Sequence, residues 1–361
     1  MSQTRNMKIA ATVVTSTLLL SGCGLFGGEK AKEIDPPQDV SYTEDADKGN
    51  EETLKEEKTT AEGEKGEESA QTYTRQLYLI DSNGLVVAQT FDLPKQEGVA
   101  KQVLEYLVEG GPVSNILPDG FRAVIPQDTQ VDVNVKDGTA IVDFSKEFKN
   151  YQAEDELKIL QSITWTLTQF DSVKTVKIMI NGHEQNEMPV GGTPISSELS
   201  RADGINLDTA GVMDITNTKP LTVYYTAQHN DQTYYVPVTT RVSNDEEDPI
   251  AAVVKKLTEE PNISHALLTD MQKDVKLLEE PKVEDGTVTL NFNESIYGSA
   301  DEEKKMVSTH VLNSLVLSLT EQPGIENVVL TVDGKAELVN EEGEKITEPV
   351  SRPVDVNTGS F

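Results

Sequence analysis

Residues 131–144 read V-D-V-N-V-K-D-G-T-A-I-V-D-F, with apolar and polar residues alternating into Asp137-Gly138 and out again. A two-residue type I′ loop needs φ > 0 at both central positions, which Asp-Gly supplies at little cost, so the stretch predicts a β-hairpin. A second Asp-Gly-Thr stands at Asp285-Gly286-Thr287, followed by Val288, Leu290 and Phe292 where the first copy has Ala140, Val142 and Phe144. Pro281 takes the place of Val133 in the second copy. Proline has no N–H for a ladder, so that strand is expected at a sheet edge or with a bulge.

Working outward, residues 159–182 and 311–334 align without a gap over 24 positions, and six are identical: Leu160/Leu312, Ser162/Ser314, Leu167/Leu319, Thr168/Thr320, Val176/Val328 and Gly182/Gly334. Roughly one or two identities would arise by chance at average composition, so the chain contains an internal duplication. Before each hairpin an apolar stripe recurs at i, i+3, i+4 and i+7, first as Ala100, Val103, Leu104 and Leu107, then as Ile250, Val253, Val254 and Leu257. This spacing predicts a helix, ended by Gly110-Gly111-Pro112 in one copy and by Pro261 in the other. Upstream of the first stripe lie a β-prone Gln76-Leu77-Tyr78-Leu79-Ile80, a turn at Asp81-Ser82-Asn83-Gly84, and a second β-prone run over 85–93.

After the hairpin, a helix is predicted over 154–170 with Leu160, Ile163, Leu167 and Phe170 on one face, matched by Leu312, Leu315 and Leu319. A strand over 173–180 follows, ending at Asn181-Gly182, with Asp333-Gly334 as its counterpart. The repetition then resumes in a tail: Ser200-Arg201, three residues, Ile205-Asn206 corresponds to Ser351-Arg352, three residues, Val356-Asn357. The units span about 73–207 and 218–358, each β-β-α-β-β-α-β plus a tail, with a short joint between them. The fold class is α+β, with two helices per unit buried on one face of a small, mostly antiparallel sheet.

The chain has 361 residues and a formal net charge of −31. That balance argues against nucleic acid, whose binding depends on Lys and Arg neutralising phosphates, and against direct adhesion to anionic lipid. Attachment to a membrane has another cause at the start of the sequence. Arg5 and Lys8 precede an apolar run over 9–20, too short to span a bilayer and right for a signal-peptide core, which ends in Leu20-Ser21-Gly22-Cys23. This resembles the bacterial lipobox, which implies a leader over 1–22, cleavage between Gly22 and Cys23, and lipid on Cys23; the alternative is a cysteine at the end of an ordinary secretory signal. With Cys23 the only cysteine, lipidation leaves the exported domains without a disulfide. Residues 23–72 carry the anchor and then a run of Glu, Lys, Asp, Gly and Ser that cannot bury enough surface to order itself, and are expected to form a tether with a coil dimension of roughly 40 Å.

Catalytic signals are missing from the sequence. His183, His229, His265 and His310 have no metal-ligand spacing, and there is no G-x-S-x-G, Ser-x-x-Lys, H-E-x-x-H or P-loop. No catalytic residue, metal or cofactor is therefore expected. With 62 Asp and Glu, carboxylate pairs arise by composition, and Asn244-Asp245-Glu246-Glu247-Asp248 reads as an acidic first turn of a helix, with a calcium site as the alternative. Trp165, the only tryptophan, aligns with Leu317 and is expected in apolar packing, in the core or at a contact between units. Tyr224, Tyr225, Tyr234 and Tyr235 form two adjacent pairs in the opening strands of the second unit. Strand neighbours point to opposite faces, so alternation allows one of each pair to be exposed. Together with Trp165 they are the candidate partner surface, with ordinary two-sided burial as the preferred reading of the tyrosines.

The lipobox, the acidic tether and two units ending in Thr193-Pro194-Ile195 and Leu199-Ser200-Arg201-Ala202-Asp203-Gly204-Ile205-Asn206 resemble the tandem sporulation and spore-germination (GerMN) domain family of endospore-forming bacteria. The second unit departs from that tail with Pro353-Val354-Asp355 in place of Ala202-Asp203-Gly204. The family's domain is similar to the ring-building motif, an α-β-β-α-β unit of secretion-system rings and of the stage III sporulation channel. The resemblance implies a non-enzymatic, lipid-anchored scaffold on the outer face of the cell membrane, placed during sporulation between the mother-cell and forespore membranes. Its implied partner is the channel complex. The alternative is an envelope enzyme or binding module acting on spore cortex peptidoglycan.

Overall fold

The computed structural model describes residues 71–210, 216–244, 248–297, 305–336, 338–341 and 343–358. The leader, Cys23 and nearly all of the tether lie outside the described residues, as do Asp245, Glu246 and Glu247 of the acidic run. Both repeats belong to one compact unit, 68–361.

The first repeat contains β1 (Thr72–Asp81), β2 (Val86–Pro94), α1 (Val99–Glu105), β3 (Phe121–Arg122), β4 (Val131–Lys136), β5 (Thr139–Phe144), α2 (Glu156–Leu167), β6 (Thr175–Ile180) and β7 (His183–Glu184). The second contains β8 (Thr218–His229), β9 (Gln232–Ser243), α3 (Pro249–Leu257), β10 (Leu267–Leu268), β11 (Lys282–Glu284), β12 (Thr287–Phe292), α4 (Thr309–Leu319), β13 (Asn327–Val332), β14 (Leu338–Val339), β15 (Lys345–Ile346) and β16 (Val350–Ser351). Each repeat carries the expected order, with short strands added.

The two Asp-Gly loops close as their chemistry requires: φ is 51° and 83° at Asp137 and Gly138, and 46° and 76° at Asp285 and Gly286. From each hairpin the chain crosses through a helix and returns parallel. β5 pairs β6 from Thr139↔Thr175 to Phe144↔Ile180, and β12 pairs β13 from Thr287↔Asn327 to Phe292↔Val332. The resulting sheets are β4-β5-β6-β7 and β11-β12-β13-β16, antiparallel except for this central pair. In all four central strands buried and half-buried residues alternate, so Ala140, Val142, Phe144, Val176, Ile178 and Ile180 face the helices and their neighbours face outward. β11 lies at an edge, as Pro281 requires, and is cut to three residues where β4 has six.

The opening hairpins, β1–β2 and β8–β9, pack against the helices from the other side. α2 satisfies the outer backbone of β1 with side chains at i, i+4 and i+7. Ser162 donates to the Tyr78 carbonyl, Thr166 Oγ1 accepts from Tyr78 N–H at 3.0 Å, and the Gln169 amide takes both backbone groups of Gln76, at 3.0 and 2.7 Å. This explains why fully buried Ser162 and Thr166 sit in a helix: they close the free edge of a strand. In the second repeat Ser318 Oγ accepts from Tyr224 N–H at 2.8 Å in the same way.

The copies differ where their second helix begins. α2 is preceded by a 3-10 turn, Ala153–Asp155, and opens with Glu156, only 1% exposed. The Glu156 carboxylate accepts from Val190 N–H (3.0 Å), Gly191 N–H (2.5 Å), Thr193 N–H (2.9 Å) and Tyr151 OH (3.0 Å). Burial pushes this carboxyl upward, but the hydrogen bonds outweigh it and bring it down to about 2. A Cβ on Gly191 would stand 2.7 Å from Glu156 Oε2, so glycine is what lets the loop approach. The aligned position in the second repeat is Ser308, an N-cap whose Oγ accepts from His310 N–H at 3.2 Å.

Candidate functional site

The repeated tail motif, Ser-Arg, three residues, an apolar residue, Asn, builds the seam between the repeats. Leu199 bridges to Val176 and extends the first sheet, and Ser200 then caps a 3-10 turn, Arg201–Asp203. The guanidinium of Arg201 leaves this turn over Trp165, 4.4 Å from the ring centre, and donates to Thr168 Oγ1 at 3.0 Å and to both oxygens of Glu321 at 2.9 Å. Arg352, after β16, donates to the Leu317 carbonyl (3.0 Å), Thr320 Oγ1 (2.9 Å) and Tyr224 OH (2.7 Å), and meets Glu321 Oε1 at 2.9 Å. Tyr224 OH in turn donates to Glu321 Oε1 at 2.9 Å.

One carboxylate at the end of α4 is thus shared by an arginine from each repeat. The Glu321 side chain is 9% exposed and those of the arginines 30% and 27%. Burial pushes the Glu321 carboxyl up, yet Arg201 and Arg352 hold it below the usual carboxylate range. Burial also pushes the Tyr224 phenol well above its ordinary value, so it serves as a neutral donor.

The asparagines that end the motif act as clips. Both have left-handed backbones, φ 45° at Asn206 and 54° at Asn357, a conformation asparagine tolerates better than most residues. Asn206 takes the N–H of Val86 (2.8 Å) and donates to the carbonyls of Val86 (2.7 Å) and Pro237 (2.8 Å). Asn357 takes the N–H of Tyr235 (2.7 Å) and donates to the carbonyls of Tyr235 (2.8 Å) and Ala88 (2.7 Å). β2 and β9 belong to different sheets, and these two amides bridge their backbones. The apolar residue before each clip crosses over: Ile205 N–H donates to the Thr239 hydroxyl at 2.9 Å while its carbonyl accepts from Thr239 N–H at 2.8 Å, and the Val356 carbonyl accepts from the Thr90 hydroxyl.

The five aromatics offered as a candidate partner surface are between 1% and 9% exposed, so that assignment is corrected and the tyrosine pairs are buried on both faces. The hairpin β8–β9 is covered on both faces. Tyr225 and Tyr234 lie in the core of the second repeat, with Tyr225 OH donating to the Lys256 carbonyl and Tyr234 OH to Asp81 at 2.8 Å. Tyr224 and Tyr235 lie on the other face with Leu317 and Val356. Trp165 is packed 5.6 Å from Tyr78 and beneath Arg201. Glu321 escaped the sequence reading because it aligns with Gln169 and is one of 62 acidic residues; the duplicated Arg and Asn of the tail were the available signal.

Among the described residues no three His, Cys, Asp or Glu converge to hold a metal, and no helix is long and apolar enough to cross a membrane. The seam's groups are engaged with one another, an arrangement suited to fixing two bodies together.

The family model described as Germane, sporulation and spore germination, matches residues 76–186 and 222–338. The chain belongs to this family: it is an α+β protein of sporulation and spore germination with two tandem domains. It is 62% identical over 358 residues to the spore germination protein GerM of Bacillus subtilis (strain 168), covering 98% of each chain. It is also similar to the solved tandem GerMN domains of the sporulation protein GerM from Bacillus subtilis, at 63% identity and a TM-score of 0.76, covering 80% of this chain and 100% of that one.

Proposed function

We propose that the chain works by contact, as a lipid-anchored scaffold for a protein complex in the space between mother-cell and forespore membranes. The observation that carries this reading is the sharing of Glu321 by Arg201 and Arg352. It makes the two repeats one body with a single composite surface, which suits an assembly component. The outward faces of the two four-stranded sheets, rich in Thr139, Thr175, Thr287, Thr289 and Thr331, are half-exposed and remain for partners. Lipid on Cys23 after cleavage at Gly22 would tie this body to the outer face of the cell membrane, since two acyl chains anchor stably where one does so marginally.

The test is crosslinking in sporulating cells of the full chain and of Cys23→Ala. The full chain is expected to recover components of the sporulation channel, and Cys23→Ala to lose them. Recovery of the same neighbours by both would remove anchoring from the account. Release of soluble fragments when purified protein is incubated with cortex peptidoglycan would replace the scaffold by an enzyme.

A further inference from the structure

The seam is made twice from the same parts. Asn206 grips Val86 of its own repeat and reaches Pro237 of the other; Asn357 grips Tyr235 of its own and reaches Ala88 of the other. Exchanging the repeats carries one clip onto the other, and the same exchange carries Arg201 on Thr168 onto Arg352 on Thr320. A contact that maps onto itself when its partners are exchanged is isologous, so each repeat presents a face complementary to its own kind.

Contacts at the rim of the seam, such as Tyr234 OH on Asp81, have no mate under the exchange, and at its charged centre a single position breaks it. Glu321 aligns with Gln169, whose amide is spent on the backbone of Gln76. Two first repeats joined through this face would bring two copies of Arg201 together with no carboxylate between them. A first repeat on a second repeat places one carboxylate between two arginines, the arrangement observed. Partner choice by this kind of charge bookkeeping rests on what the wrong pair lacks as much as on what the right pair gains.

We propose that the seam is a pairing surface intrinsic to the repeat, that the carboxylate carried only by the second repeat, as Glu321, directs first repeats onto second repeats instead of onto each other, and that a second copy of this chain binds through it by reciprocal exchange of repeats. The seam contacts described above are retained in such an exchange. The inference does not depend on where the protein acts in the cell.

The test uses the full chain, with a specific protease site placed within residues 211–215 and cut after folding is complete. The halves are expected to stay together at micromolar concentration. When cut protein is mixed with cut protein bearing a mass tag on its first repeat, native mass spectrometry is expected to show tagged first repeats on untagged second repeats and no first-with-first pairs. Glu321→Gln is expected to raise the free fraction of halves at least tenfold. Halves that part on cutting, or that remain paired and never exchange, would overturn the pairing surface. First-with-first pairs as abundant as mixed ones would overturn the role given to Glu321. Because the chain folds before it is cut, and circular dichroism of the cut sample verifies this, misfolding does not enter either outcome.

Discussion

The two repeats share a backbone plan but secure it differently. The first holds its tail locally, by a buried carboxylate at the start of α2 that gathers three backbone N–H groups. The second has a serine cap at that place and carries its buried carboxylate at the far end of the corresponding helix, turned toward the neighbour. One glutamate thus stabilises a repeat and the other joins two. Duplication supplied equivalent positions, and exchanging which end bears the charge gave them separate tasks.

This contrast can be broken by substitution, beginning with the largest effect. Glu321→Ala leaves two arginines without their acid; removing one partner of a buried pair costs about 3–5 kcal/mol, and the partial exposure of the guanidiniums places this one near about 3. Urea unfolding is expected to change from one transition to two. Glu156→Ala leaves three N–H groups unanswered and is expected to cost about 2–3 kcal/mol, with hydrogen exchange rising over residues 190–193 while the seam stays closed. Ser308→Ala at the matching position loses only a cap, about 1 kcal/mol, and scanning calorimetry should resolve the difference.

Acid sharpens the same contrast. The Glu156 carboxyl is held at about 2 when folded, against roughly 4.3 for a free glutamate. A depressed folded value means its stabilisation is complete above the unfolded value and is lost as pH falls through the folded one. The loosening is therefore expected between roughly pH 4 and 2, and in Glu156→Gln that acid-dependent step should vanish from an unfolding titration. The smallest effect is at Lys101–Asp132, 3.2 Å apart with 43% and 84% of the side chains exposed: Asp132→Asn should change stability by less than about 1 kcal/mol.

Local pattern revealed the hairpins, the helical stripes and the duplication, because each depends on residues a few positions apart. The Asp-Gly turns and the edge placement forced by Pro281 came from single-residue backbone chemistry. The seam did not come that way, because Arg201 finds Glu321 across 120 positions and Asn357 finds Ala88 across 269. The repeated tail was visible as spelling without its use. Alternation left room for exposed tyrosines in β8 and β9, on the premise that a hairpin has an outer face, and could not decide against two-sided burial. Here a second repeat and its own helices cover both sides, and periodicity within one strand carries no information about what lies across it.

The edge of the first sheet has a practical outcome. β4 is a six-residue edge strand paired with β5 on one side only, with Val135 40% exposed, while its counterpart β11 is shortened beside Pro281, preceded by Glu279 and Glu280 and opened by Lys282. An open edge is a template for any extended polypeptide, and charge or proline blunts it. Aggregates of overproduced protein should therefore nucleate from one end of the molecule only, and a single lysine at Val133 or Val135 should keep concentrated samples clear.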